Sequence, residues 1–180
     1  LFIGYLLSKN AVTKDQLTVF RPSVCNRLDR NTSGLLLCGK SLAGSQALSE
    51  CLKKRSVNKY YLTICHGCLK QSMTVEGLLR KNEKSNTVTV SLQTKKLSDA
   101  LKENYICTKY EPIAVSNDYT FLSVELITGK THQIRAHLAA LGHPILGDFK
   151  YSNTHMIEKD KKLFHQSQQL LHAYRIIFPG

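Results

Sequence analysis

The sequence fits a mixed α/β domain, and three observations carry that reading. Strand-length stretches rich in aromatic and β-branched residues recur at positions 58–66, 87–92, 119–127 and 170–178. Two other stretches switch to helical spacing, one carrying Leu42, Ser45, Leu48 and Leu52 and one carrying Ile134, Leu138 and Leu141. A length of 180 residues with 42% hydrophobic composition is enough to fill one core, so a single domain over residues 1–180 is expected.

Residues 1–20 hold a short apolar start and a polar connector and carry no motif. The run Leu35-Leu36-Leu37-Cys38 is short and unbroken in apolarity, which predicts a buried strand. Ser41 is placed to cap the helix that follows. That helix closes in Lys53-Lys54-Arg55, cations that suit a helix C-terminus and would equally suit RNA phosphates. Residues 58–66 (NKYYLTICH) and 87–92 (TVTVSL) read as neighbouring strands of one sheet, the second with Val88, Val90 and Leu92 on one face. The charged residues 80–84 between them read as a solvated turn. Residues 104–110 are expected to pair with 119–127 as a hairpin across the turn residues Ser116-Asn117-Asp118. A short helix follows from Thr131, with Gly142 as its stop and Pro144 preventing continuation. Residues 152–168 read as a surface loop or weak helix, and 170–178 as a closing strand.

The formal net charge is +12 and the pI about 9.5, which points to a polyanionic partner. No apolar run approaches the ~20 residues of a membrane-spanning helix, and the start lacks the pattern of a signal peptide. A soluble, unexported, cytoplasmic protein is the expectation, and a first residue other than Met suggests a piece of a longer chain. The six cysteines are too scattered for a disulfide framework. Cys65-His66-Gly67-Cys68 has the spacing of half a zinc site, but no second cysteine pair completes it, so no metal is expected.

The stretch most suited to chemistry is Asn26-Arg27-Leu28-Asp29-Arg30-Asn31-Thr32-Ser33-Gly34. Positive charge on either side favours a carboxylate's anion, and bidentate arginine pairing would orient it. A loop salt bridge in front of a core strand is the simpler reading of the same residues. The second stretch is Lys59-Tyr60-Tyr61-Leu62, where strand geometry lets only one of the two tyrosines face a site shared with Asp29. The third runs Ile127-Thr128-Gly129-Lys130-Thr131-His132-Gln133-Ile134-Arg135, and on to Gly142-His143-Pro144-Ile145 and Gly147-Asp148. A glycine turn opening a helix, with Lys130, Thr131, His132 and Gln133 in the first turn, suits an anion or an RNA backbone. Leu171-His172-Ala173 follows near the end.

In this order, these strings resemble the RluA-type family of RNA pseudouridine synthases, and the third separates the resemblance from the RsuA-like synthases. The resemblance implies the catalytic domain of an isomerase that converts specific uridines in rRNA or tRNA to pseudouridine. It also implies a mixed α+β fold, with a central, largely antiparallel sheet flanked by helices and an active-site cleft along its middle. Asp29 would be the essential carboxylate, as nucleophile at the sugar or base on its 2′ proton. Tyr61 would stack on the flipped uracil, Arg135 would orient Asp29, and Arg27 would fill space near the flipped base or contact phosphate. Arg27, Arg30, Lys59, Lys130, Thr131, His132 and Gln133 would meet RNA. No cofactor, metal or obligatory protein partner is implied, because the carboxylate and positioning supply the chemistry. Two departures stand out: Asn26 replaces the family's usual histidine, and the family's N-terminal Lys-Pro motif is absent, as expected of a domain incomplete at that end. The rival reading is a non-catalytic RNA-binding module derived from the same fold.

Overall fold

The computed structural model describes residues 1–82, 87–92, 104–166 and 168–179. In chain order its first elements are α1 (Phe2–Ser8), α2 (Lys14–Val19), β1 (Ser23–Val24), β2 (Ser33–Gly34), β3 (Cys38–Gly39), α3 (Leu42–Lys53) and β4 (Asn58–His66). They are followed by β5 (Met73–Asn82), β6 (Thr87–Leu92), β7 (Tyr105–Val115), β8 (Tyr119–Leu126), α4 (Gln133–Ala140), α5 (Thr154–Phe164) and β9 (Leu171–Ile177). Contacts divide the chain into two units, one of residues 1–28 and 35–57 with the C-terminal end, the other of Asp29–Gly34 with Asn58–Ile177.

In the first unit α2 begins with a capping box: Thr13 Oγ1 accepts from the Gln16 amide, and the Gln16 side chain accepts from the Thr13 amide. The Thr13-x-x-Gln16 spacing carries this signal, although residues 1–20 read as featureless. β1 pairs antiparallel with β3, and Asn26 Oδ1 accepts from the Leu37 amide at 2.7 Å. The residue that departs from the family pattern therefore ties its own loop together. Ser41 caps α3 as expected, its Oγ accepting from the Gly44 amide at 3.1 Å. The run Leu35–Cys38 is not the expected buried strand, since Leu35 and Leu36 are 45% and 47% exposed and only Cys38 joins a strand.

The second unit holds a seven-stranded sheet in the order β2-β9-β4-β8-β7-β5-β6, antiparallel throughout except for the short parallel contact of β2 with β9. β4 and β6 thus share a sheet but are not the expected neighbours: β8 and β9 flank β4, while β6 lies at the edge beside β5. Arg80, Lys81 and Asn82 are the end of β5, paired with Thr89, Val88 and Thr87, rather than a turn. Residues 83–84 of that expected turn lie outside the described residues. The hairpin of β7 and β8 is as expected, and the turn is closed by Ser116, which bonds Tyr119 through both its amide and its hydroxyl.

Period-two alternation places Tyr61, Thr63 and Cys65 of β4 with Leu122 and Val124 of β8 on one buried face. Ile134, Ala136 and Leu138 of α4 are likewise buried, and Ala136 joins a cluster with Leu79, Val88 and Ile106. Gly142, at φ +83°, ends α4 where expected. Residues 154–164, expected as a loop or weak helix, form the regular helix α5, capped by Asn153 accepting from the Met156 amide.

Gly34 fixes the loop that carries Asp29. Its φ is +114°, and a Cβ there would overlap the main chain of Ala173 in β9. Beside it, Ser33 Oγ bonds His172 Nδ1 at 2.8 Å. The Thr-Ser-Gly and Leu-His-Ala strings, far apart in sequence, are the two sides of one strand pairing.

Candidate active site

The second unit gathers Asp29, Tyr61, His132, Arg135, Asp148 and Tyr151 around one carboxylate. Asp29 stands at the start of the loop pinned by Gly34. Arg135 projects from α4, and its Nη1 donates to Asp29 Oδ2 at 3.0 Å. The guanidinium is itself held by Asp148: Nε donates to Oδ2 at 2.7 Å and Nη2 to Oδ1 at 2.9 Å. That fork geometry is the strong form of arginine pairing, and it leaves one edge of the guanidinium for Asp29. Burial works against the arginine's charge, but Asp148 and then Asp29 outweigh it and raise its pKa.

The arginine partner of Asp29 therefore comes from 106 residues downstream, as the family pattern implied, and not from the adjacent arginines. Arg30 is exposed, and Arg27, also exposed, belongs to the first unit.

Tyr61 is 7% exposed on β4. Burial and then the charge of Asp29 raise its pKa, so its hydroxyl keeps its proton at neutral pH. Tyr60 points to the opposite face by strand alternation. His132 caps α4 with a left-handed backbone (φ +52°) and turns its ring inward: Nδ1 is 2.8 Å from the Tyr151 hydroxyl and Nε2 is 3.9 Å from Asp29 Oδ2. Its pKa is lowered, by burial first, with Arg135 and Lys150 adding to that against the pull of Asp29 and Asp148. The Tyr151 ring also lies under the Arg135 guanidinium, 5.2 Å from its centre.

Gln133, expected to meet RNA, is 2% exposed and its amide is fully engaged inside the fold. Its oxygen accepts from Thr128 Oγ1 and the Lys130 amide, and its nitrogen donates to Cys107 O and Thr108 Oγ1. A saturated buried amide has nothing left for a ligand, so Gln133 staples the turn before α4 to β7. Lys130 and Thr131 are exposed and Lys59 is half-buried.

Two residues of the cluster had no role from sequence. Asp148 carried a signal, since a carboxylate ending the apolar run Ile145-Leu146-Gly147 must find a partner if it is buried. Tyr151, in a polar surrounding, carried none.

The family model for RNA pseudouridylate synthase matches residues 5–140. The chain belongs to this family. Among curated relatives, an RNA pseudouridine synthase of Mycoplasma genitalium is 30% identical over 165 residues, covering 89% of this chain and 48% of the relative. Ribosomal large subunit pseudouridine synthase D of Xylella fastidiosa is 33% identical over 139 residues, covering 77% of this chain and 40% of the relative. The chain thus spans about half the length of the curated relatives it matches. Human RNA pseudouridylate synthase domain containing 1 has the same fold, with a TM-score of 0.72 at 24% identity over 88% of this chain and 64% of that one. The mixed α+β fold and largely antiparallel sheet expected from the resemblance are those of the family. Among the described residues, no helix is long and apolar enough to cross a membrane.

Proposed function

We propose that residues 1–180 act as the catalytic domain of an RNA pseudouridine synthase, with RNA in the cytoplasm as substrate. The observation that carries this is Asp29 held at 3.0 Å by an arginine that a second, buried carboxylate clamps in place. A carboxylate whose direction is fixed before substrate arrives costs no reorganisation at the moment of reaction. The name of the Xylella fastidiosa relative favours large-subunit ribosomal RNA over tRNA.

The reaction breaks the N1–C1′ bond of uridine and forms a bond from C5 to C1′; C5 loses its hydrogen and N1 gains one, so the product is an isomer. The uracil must leave its stack to reach the site. Asp29 attacks the sugar or takes its 2′ proton, and Arg135 aims it. The Tyr61 ring stacks on the uracil, an interaction worth ~1–3 kcal/mol per base. Arg30, Lys59, Lys130 and Thr131 contact the RNA backbone. No metal or organic cofactor enters these steps.

The test is to incubate wild type and Asp29→Asn with cellular RNA lacking the modification and to map new pseudouridines by chemical labelling. New sites with wild type alone are expected. Binding of RNA without new sites by either protein would contradict the proposal and favour a binding module.

A further inference from the structure

His132 was expected to meet RNA, yet its ring faces the carboxylate. We infer that Tyr151 and His132 form a relay that positions Asp29: Tyr151 donates to His132 Nδ1, which places the imidazole proton on Nε2, toward Asp29 Oδ2. The inference deepens the synthase reading and rests on it for its effect on turnover, whereas the relay itself stands on the geometry.

Three features set the direction of these bonds. The Tyr151 oxygen accepts from the Val88 amide at 3.1 Å, a donor fixed by the backbone, so the hydroxyl proton is available for His132 Nδ1 at 2.8 Å. The tautomer of a histidine is set by the bond its other nitrogen makes. The opposite nitrogen faces a carboxylate, which favours a proton there rather than a lone pair. Lastly, Arg135 Nη1 and His132 Nε2 both address Oδ2 of Asp29, and none of the described hydrogen bonds engages Oδ1.

The 3.9 Å separation of His132 from Asp29 is longer than a hydrogen bond, and such distances tighten when substrate closes a site. His132 has a left-handed backbone at the helix start, φ +52°, uncommon for a residue other than glycine though less so for histidine than for most. The charged and titratable groups around the ring are Asp29, Arg135, Asp148, Lys150 and Tyr151. A second proton on His132 would have to sit on Nδ1, against the Tyr151 donor, and would turn the ring into a cation that competes for Asp29. Turnover should therefore fall on the acid side as His132 becomes charged.

Nitrogen NMR of the imidazole in the full chain tests the relay directly. Wild type is expected to show Nε2–H, and Tyr151→Phe, which keeps the ring under Arg135, a mixture of tautomers. Nδ1–H in wild type would overturn the inference. Single-turnover pH profiles on an RNA that wild type modifies supply the second readout. Loss of one hydrogen bond to a charge-bearing site predicts roughly a tenfold fall in Tyr151→Phe. Its RNA affinity should be unchanged and its acid limb displaced to higher pH. His132→Gln, whose amide can still donate, should outperform His132→Ala and lack the histidine limb. Unchanged rate and unchanged limb in Tyr151→Phe would overturn the role in turnover. If wild type modifies no RNA, the synthase reading fails, and the NMR result still decides the relay.

Discussion

Asp148 grips Arg135 through two parallel hydrogen bonds while being itself fully buried, and so decides which guanidinium edge Asp29 can reach. The carboxylate that a substrate would meet is aimed by one it would never touch.

Asp148→Asn keeps the shape and removes the charge. Breaking one partner from a buried ion pair is expected to cost ~3 kcal/mol of stability. Turnover should fall more steeply than RNA affinity, because Arg135 loses its fixed orientation. Denaturant unfolding and single-turnover kinetics on the same variant separate the two effects, and an unchanged rate would show that Arg135 needs no clamp.

Gly34→Ala tests the loop that carries Asp29. Its φ of +114° and the main chain of Ala173 both exclude a side chain, so a loss of at least ~2 kcal/mol is expected. The measurement is thermal unfolding together with amide exchange at Ala173. A neutral substitution would mean that the loop can lift off β9 freely.

His137 is fully buried on α4, and burial pushes its pKa down to about 4. The folded state therefore binds fewer protons than the unfolded chain between pH 6.5 and about 4, and stability falls as pH drops through that window. The difference amounts to ~3 kcal/mol across the window. Urea unfolding at pH 7 and pH 4.5 should show this slope in wild type and a shallower one in His137→Gln.

Gln133→Leu removes four internal hydrogen bonds and strands their partners, and ~2 kcal/mol of stability should go with them. Because the amide is saturated inside, RNA affinity of the folded variant should equal that of wild type in a filter-binding titration. Weaker binding at unchanged stability would restore Gln133 as an RNA contact.

The strands β4, β6, β8 and β9 were legible because their residues alternate or cluster in β-branched and aromatic types, and α3 and α4 because their spacing and stops are local. Sheet order was not legible, since nothing within β4 or β6 names its neighbour. β5 was hidden by Gly77 and the charged Arg80 and Lys81, which read as a turn and are instead paired across to β6. The run from Leu35 to Leu37 read as buried because apolar residues usually are, yet the chain leaves the sheet at Gly34. Asp29, Tyr61 and Arg135 were singled out through ordered motifs, and the fold brings them together, whereas the clamp of Asp148 and the bond from Tyr151 depend on a long-range meeting that spacing alone does not encode. Gln133 misled because a polar residue at a helix start looks alike whether it faces solvent or the core.

The central claim is that Asp29, aimed by Arg135, performs the chemistry. The C5 hydrogen leaves when C5 joins C1′, so RNA labelled with tritium at uridine C5 reports the reaction as release into water. Wild type should release tritium in a single turnover, Arg135→Lys far more slowly, and Asp29→Asn not at all while still binding the RNA. Release by Asp29→Asn at the wild-type rate would contradict the account.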